Sequence, residues 1–115
     1  MVDQVLSASI NFRSPGVRPD DPERMERLAR ACLRAAYRGA YLSAIVRQRK
    51  TLLLTLVGGG VFGNPLSIIL EEIAEAHAEW AEHPLSQLEA VRLCLYEKGS
   101  AEGVNAQLQA LMRSL

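Results

Sequence analysis

The stretch TLLLTLVGGGVFGNPLSIILEEIAEA, residues 51–76, decides how this chain is read. Thr51 to Val57 is apolar on both faces, which predicts a central strand of a parallel sheet. It runs straight into Gly58, Gly59 and Gly60, followed by Val61, Phe62 and Gly63. Asn64 can cap a following helix, and Pro65 suits its first position. Ile68, Ile69, Glu72, Ile73, Ala76 and Trp80 then recur at helical spacing until His83-Pro84 ends the run. Glycines lose the most chain entropy on folding, so a run of them implies that something must come close to this backbone.

A strand that enters a glycine turn and opens a helix is an anion cradle. Backbone N–H groups converge there, the helix N-terminus adds partial positive charge, and missing Cβ atoms admit a phosphate. Gly58, Gly59, Gly60 and Gly63 would give the close approach. Val61 and Phe62 would point to either side, and Asn64 would hold the helix start. The loop follows the carboxyl end of its strand, where open α/β sheets bind ligands. No Lys-Ser/Thr pair follows the last glycine, so this is not a P-loop. No acidic residue ends the next strand, so it is a poor dinucleotide fingerprint. Ser67 could donate to a phosphate. The plain alternative is a tight turn whose glycines only supply positive φ.

Outward from this stretch, Val2 to Ile10 reads as a strand and NFRSPGVRPDD as a loop. Asp20 can cap a helix with Pro22 in its first turn and Glu23 at capping-box spacing. Met25, Leu28, Ala29, Cys32, Ala35, Ala36 and Ala40 form its apolar face. Arg27, Arg30, Arg34 and Arg38 lie on another face, and Gly39 is the weak point before an end near Val46. Leu88 to Tyr96 alternates, with Val91, Leu93 and Leu95 on one side and Arg92 and Cys94 on the other, as in an edge strand. Gly103 to Leu115 predicts a closing helix. The order is βαβαβα: one α/β domain over 1–115, in two or three layers, with a small parallel sheet and right-handed crossovers.

The segment with Gly60, Val61, Phe62, Gly63 and Pro65 resembles the second, diphosphate-binding loop of macrodomains. VDQVLSASIN resembles the strand two elements earlier, and the helix, last strand and final helix match in pattern. The resemblance covers nearly the whole chain but only the carboxyl-terminal half of that family. It implies ADP-ribose or a related nucleotide as ligand, its diphosphate on residues 58–63 and Phe62 near the distal ribose. The family's adenine-contacting acidic residue, Asn-rich ribose segment and first glycine loop have no counterpart here. Asn11 is not the family's catalytic asparagine. The resemblance therefore implies a truncated binding module without efficient catalysis. In the family, a further strand separates the two that resemble Val2–Ile10 and Thr51–Val57. Here those two must pair directly, leave a gap, or accept a strand from another chain. Uncovered sheet edges imply self-association.

Charge and composition narrow the alternatives. Thirteen basic residues balance thirteen acidic ones. Residues 12–50 hold ten basic against four acidic, and residues 51–115 three against eight. Such asymmetry suits self-association or an anionic partner. The arginine stripe could meet nucleic acid, but only Tyr37 and Tyr41 interleave it. A solvated face, or one paired with the acidic helix 71–82 of a neighbour, is the better reading. Cys32 and Cys94 read as buried reduced thiols in a reducing, cytoplasm-like compartment. No run suggests a membrane span. His77 and His83 are wrongly spaced for a metal pair and read as solvated or capping, while Glu71, Glu72 and Glu75 read as a solubilising face. No catalytic residues, metal or cofactor are expected. Two alternatives to the ADP-ribose module are an oligomeric interaction protein with an empty glycine loop and a weak ADP-ribosyl or phosphate-ester hydrolase.

Overall fold

The computed structural model describes residues 2–13, 21–59, 63–95 and 101–115. These contain three helices, α1 (Pro22–Val46), α2 (Leu66–Trp80) and α3 (Ala101–Ser114), and two strands, β1 (Thr51–Leu54) and β2 (Ala90–Leu93). The strands pair in parallel, with Thr51 opposite Ala90 and Leu54 opposite Leu93. The chain is thus mixed α/β with a small parallel sheet, as its alternating pattern predicted.

Helix α1 starts on Asp21, whose carboxylate accepts the Glu23 amide at 3.0 Å. The expected cap, Asp20, lies outside the described residues. The helix ends in a Schellman motif: the Gln48 amide donates to Ile45 O and the Arg49 amide to Ala44 O. Gln48 takes the left-handed position, φ +56°, that glycine usually fills. The buried face is Ala29, Leu33, Tyr37, Tyr41, Ala44 and Ile45. This corrects the expected face, since Leu28 is partly exposed and Ala35 is exposed. The two tyrosines lie in the core. Their rings fill it and their hydroxyls reach polar partners at its far side, which a purely aliphatic pattern misses.

Helices α1 and α2 pack along their length, and α3 packs on α2. The core joins Leu33, Tyr37 and Tyr41 with Leu54, Ile69, Leu70 and Ile73. Phe12, read as part of a loop, is also buried there and fastens the amino-terminal segment to the core. Val91, Leu93 and Leu95 pack against the core, while Cys94 and Arg92 face out. Cys94 is therefore exposed and Cys32 only half-buried, and both are free thiols.

The predicted strand at Val2–Ile10 does not form. Residues 2–10 have no regular secondary structure, and among the described residues they share no backbone hydrogen bond with β1. Sequence alternation favours an extended course, but a strand also needs a partner edge within hydrogen-bonding reach. Likewise β1 is not a central strand among the described residues. Only β2 pairs with it, and Leu53 is 62 % exposed. The predicted order βαβαβα is therefore αβαβα here.

The arginine stripe meets the acidic helix of its own chain rather than a neighbour's. Arg30 pairs with Glu71 and Glu26, Arg34 with Glu72 at 3.3 Å, and Arg38 with Glu79 at 2.7 Å. Glu71 holds the Arg30 guanidinium above its ordinary pKa, against the opposing pull of burial. Glu72 is buried, not part of a solubilising face. The exposed pairs contribute little each. The buried carboxylate matters more, because removing its arginines would leave an uncompensated charge.

Candidate functional site

The glycine turn leaves β1 through Leu56 and Val57. Tyr37 of α1 braces this exit: its hydroxyl donates to Thr55 O at 2.6 Å and accepts the Val57 amide at 2.9 Å. Burial pushes the Tyr37 phenol up to about 12, against the lowering effect of the Val57 amide.

Asn64 does not cap α2. Pro65 occupies the N-cap position, and among the described residues no side chain caps the helix. The Asn64 side chain turns inward and is 6 % exposed. Its Nδ2 donates to Gly58 O at 2.7 Å and to Ile10 O at 2.9 Å, while Oδ1 accepts the Ser9 hydroxyl at 3.1 Å. Its backbone amide donates to Gly58 O at 2.9 Å. One residue thus closes the glycine turn and ties the amino-terminal segment to it. Three half-buried polar groups, on Ser9, Ile10 and Gly58, compete with a single orphan amide at the helix start, and they win.

The close approach demanded by the glycines comes, at two of them, from the chain itself. Gly58 and Gly63 both have φ +74°. A Cβ on Gly58 would lie 2.6 Å from Asn64 Nδ2 and 2.8 Å from Ser9 Cβ. A Cβ on Gly63 would lie 3.1 Å from Arg13 Nε. The Gly59 amide donates to Leu56 O at 3.1 Å. Of the predicted site residues, Gly58, Gly59, Gly63 and Asn64 are therefore brought together, whereas Gly60, Val61 and Phe62 lie outside the described residues. The amides of Val57, Gly59 and Asn64 are engaged by the chain's own oxygens.

Among the described residues, the donors that remain available lie at the start of α2. Its first turn carries no acidic residue, and Leu66 and Ser67 are exposed. The Leu66, Ser67 and Ile68 amides precede the first helical bond, which Ile69 makes to Pro65 O. The exposed Arg13 side chain lies over Gly63, adding a cation to the same rim. Arg13 falls within the predicted loop. Its place became visible only when the chain folded back to put residue 13 against residue 63.

The histidines also differ from expectation. His83 caps no helix end but closes the turn after α2, its Nδ1 accepting the Leu85 amide at 3.1 Å. His77 is instead packed edge-on against Tyr41, with Nδ1 2.7 Å from the hydroxyl. Burial lowers the His77 pKa, against the raising effect of Glu82, and burial raises that of Tyr41. The pair faces a cavity of about 450 Å³ beneath α3, lined also by Leu54, Arg92, Val104 and Leu108. Among the described residues, no three His, Cys, Asp or Glu side chains gather as a metal site. No helix among them is long and apolar enough to cross a membrane. Comparison with protein-family models, curated proteins and solved structures returns no match.

Proposed function

We propose that the chain is a small binding module for a phosphate-bearing ligand of the nucleotide or ADP-ribose type, held at the glycine loop without efficient catalysis. One observation carries this reading. The uncapped start of α2, the Arg13 side chain and the glycine turn converge at the carboxyl end of β1. Helix-start amides that no described residue engages and a guanidinium together suit an anion. The reading keeps Gly58, Gly59, Gly60, Val61, Phe62, Gly63 and Asn64 as the loop. Within it, Asn64 shapes the turn rather than touching the ligand. The resemblance to the macrodomain loop supports the choice of ADP-ribose.

A second reading has its own support. The amides of Val57, Gly59 and Asn64 are already bonded within the chain, as they would be in a turn that serves only structure. The chain would then be an interaction protein, able to associate with itself, with an empty loop.

Calorimetry with ADP-ribose separates the two. Binding by the parent chain, lost on Gly60→Glu and weakened about tenfold by Arg13→Gln, supports the nucleotide module. Absence of heat from the parent at millimolar ligand favours the interaction protein. Turnover of an ADP-ribosylated substrate would contradict both.

A further inference from the structure

A groove of about 630 Å³ runs between the amino-terminal segment, α1 and β1. One wall is the edge of β1 that no described strand pairs with. In a parallel ladder, alternate residues turn their backbone groups toward the partner strand. Lys50 O and Leu54 O accept amides from Ala90 and Cys94, so the even-numbered residues face β2. The N–H and C=O of Thr51 and Leu53 therefore face away from β2, toward the groove. The opposite wall is the segment Val2 to Ser7. This segment is pinned at both ends. Asp3 bonds Arg47 and Arg49 beside the start of β1, and those guanidiniums, Arg47 first, hold its carboxyl below the ordinary range. Ser9 and Ile10 bond Asn64 beside the turn that follows β1. The segment thus runs alongside β1 in the same direction, held off rather than paired. The floor between them is small: Ala36, Ala40, Ser43 and Ala44 of α1.

We propose that this slot accepts one extended strand from a different polypeptide, lying parallel to β1 and completing the sheet by edge addition. Backbone hydrogen bonds to Thr51 and Leu53 would supply affinity, and the alanine floor would admit large apolar side chains at alternate positions. The entry end is basic, since Arg47 and Arg49 share the single carboxylate of Asp3. The occupant therefore carries an acidic residue at its amino-terminal end. A second copy of this chain is disfavoured as occupant, because β1 and β2 are engaged with each other and the segment around Asp3 and Ser9 is tied at both ends.

The test uses the ¹⁵N-labelled chain and an acetylated hexapeptide of aspartate followed by alternating valine and threonine. Saturable binding that slows amide exchange at Thr51 and Leu53 at least tenfold is expected. The same peptide with asparagine in place of aspartate should bind about threefold more weakly, as suits a partly exposed ion pair. Leu53→Pro removes a groove-facing donor without touching the ladder to β2 and should weaken binding at least tenfold. Ala40→Leu, which fills the floor, should do the same and serves if the proline variant does not fold. No binding at millimolar peptide, or binding unaffected by either variant, overturns the proposal. So does a Leu53 amide already protected in the free chain, whether in a monomer, where the chain's own segment has closed onto β1, or in a dimer, where a sibling fills the slot.

Discussion

Replacing Asn64 by aspartate separates the two roles that this side chain could have. As a helix cap, aspartate would serve as well as asparagine. In the folded chain the consequence is different. Asn64 Nδ2 donates to Gly58 O and Ile10 O at 2.7 and 2.9 Å. Aspartate would place a carboxylate oxygen against two carbonyl oxygens at a site 6 % exposed. Two hydrogen bonds are lost, at about 1 kcal/mol each, and an unpaired buried charge is added, for a total on the order of 4 kcal/mol. Asn64→Ala loses three bonds without the charge, about 3 kcal/mol. Urea denaturation followed by Trp80 fluorescence measures both. The aspartate variant should regain stability as the pH falls toward 4, because protonation removes the charge and restores a donor. An aspartate variant within about 0.5 kcal/mol of the parent at pH 7 would refute the reasoning and restore the capping role.

Four further perturbations have expected outcomes. Gly58→Ala forces a side chain into left-handed backbone against Asn64 and Ser9 and should destabilise by about 2 kcal/mol in the same denaturation assay. Gly39→Ala meets nothing within 4 Å inside α1 and should stabilise by about 0.5–1 kcal/mol, seen as a shift in urea midpoint. Gln48→Gly relieves the φ of +56° at the end of α1 and should stabilise by about 1 kcal/mol, seen as a higher melting temperature. His77 has a folded-state pKa below its unfolded value, so the unfolded chain binds the extra proton. Its contribution is fully present above about pH 6.5 and is lost as the pH falls below that value. Melting temperatures from pH 8 to 5 should show this decline, flatter in His77→Gln. An equal decline in both would assign it to other groups.

The pattern reading places the glycine turn after a strand and before a helix, and the described residues run from β1 to α2 in that order. Helix α2, the parallel sense of the sheet, the outward Arg92 and the proline-led start of α1 were all legible, because each follows from local propensity or from side-chain periodicity, whereas the expected burial of Cys94 was wrong. The capping role of Asn64 was also the correct local inference. It failed because Gly58, Ser9 and Ile10 converge on the same side chain from elsewhere in the chain.

By itself, the sequence determined the alternation of helices and strands, since the 3.6- and 2-residue periods of burial are written residue by residue. Tertiary structure alone decided who partners whom. The arginines found Glu71, Glu72 and Glu79 within one chain because α1 and α2 pack side by side. Tyr37 and Tyr41 became core because their hydroxyls could reach Thr55, Val57 and His77 across it. Among the described residues Val2–Ile10 is unpaired, because a strand's hydrogen bonds belong to two segments at once and no single segment's residues specify where its neighbour will lie.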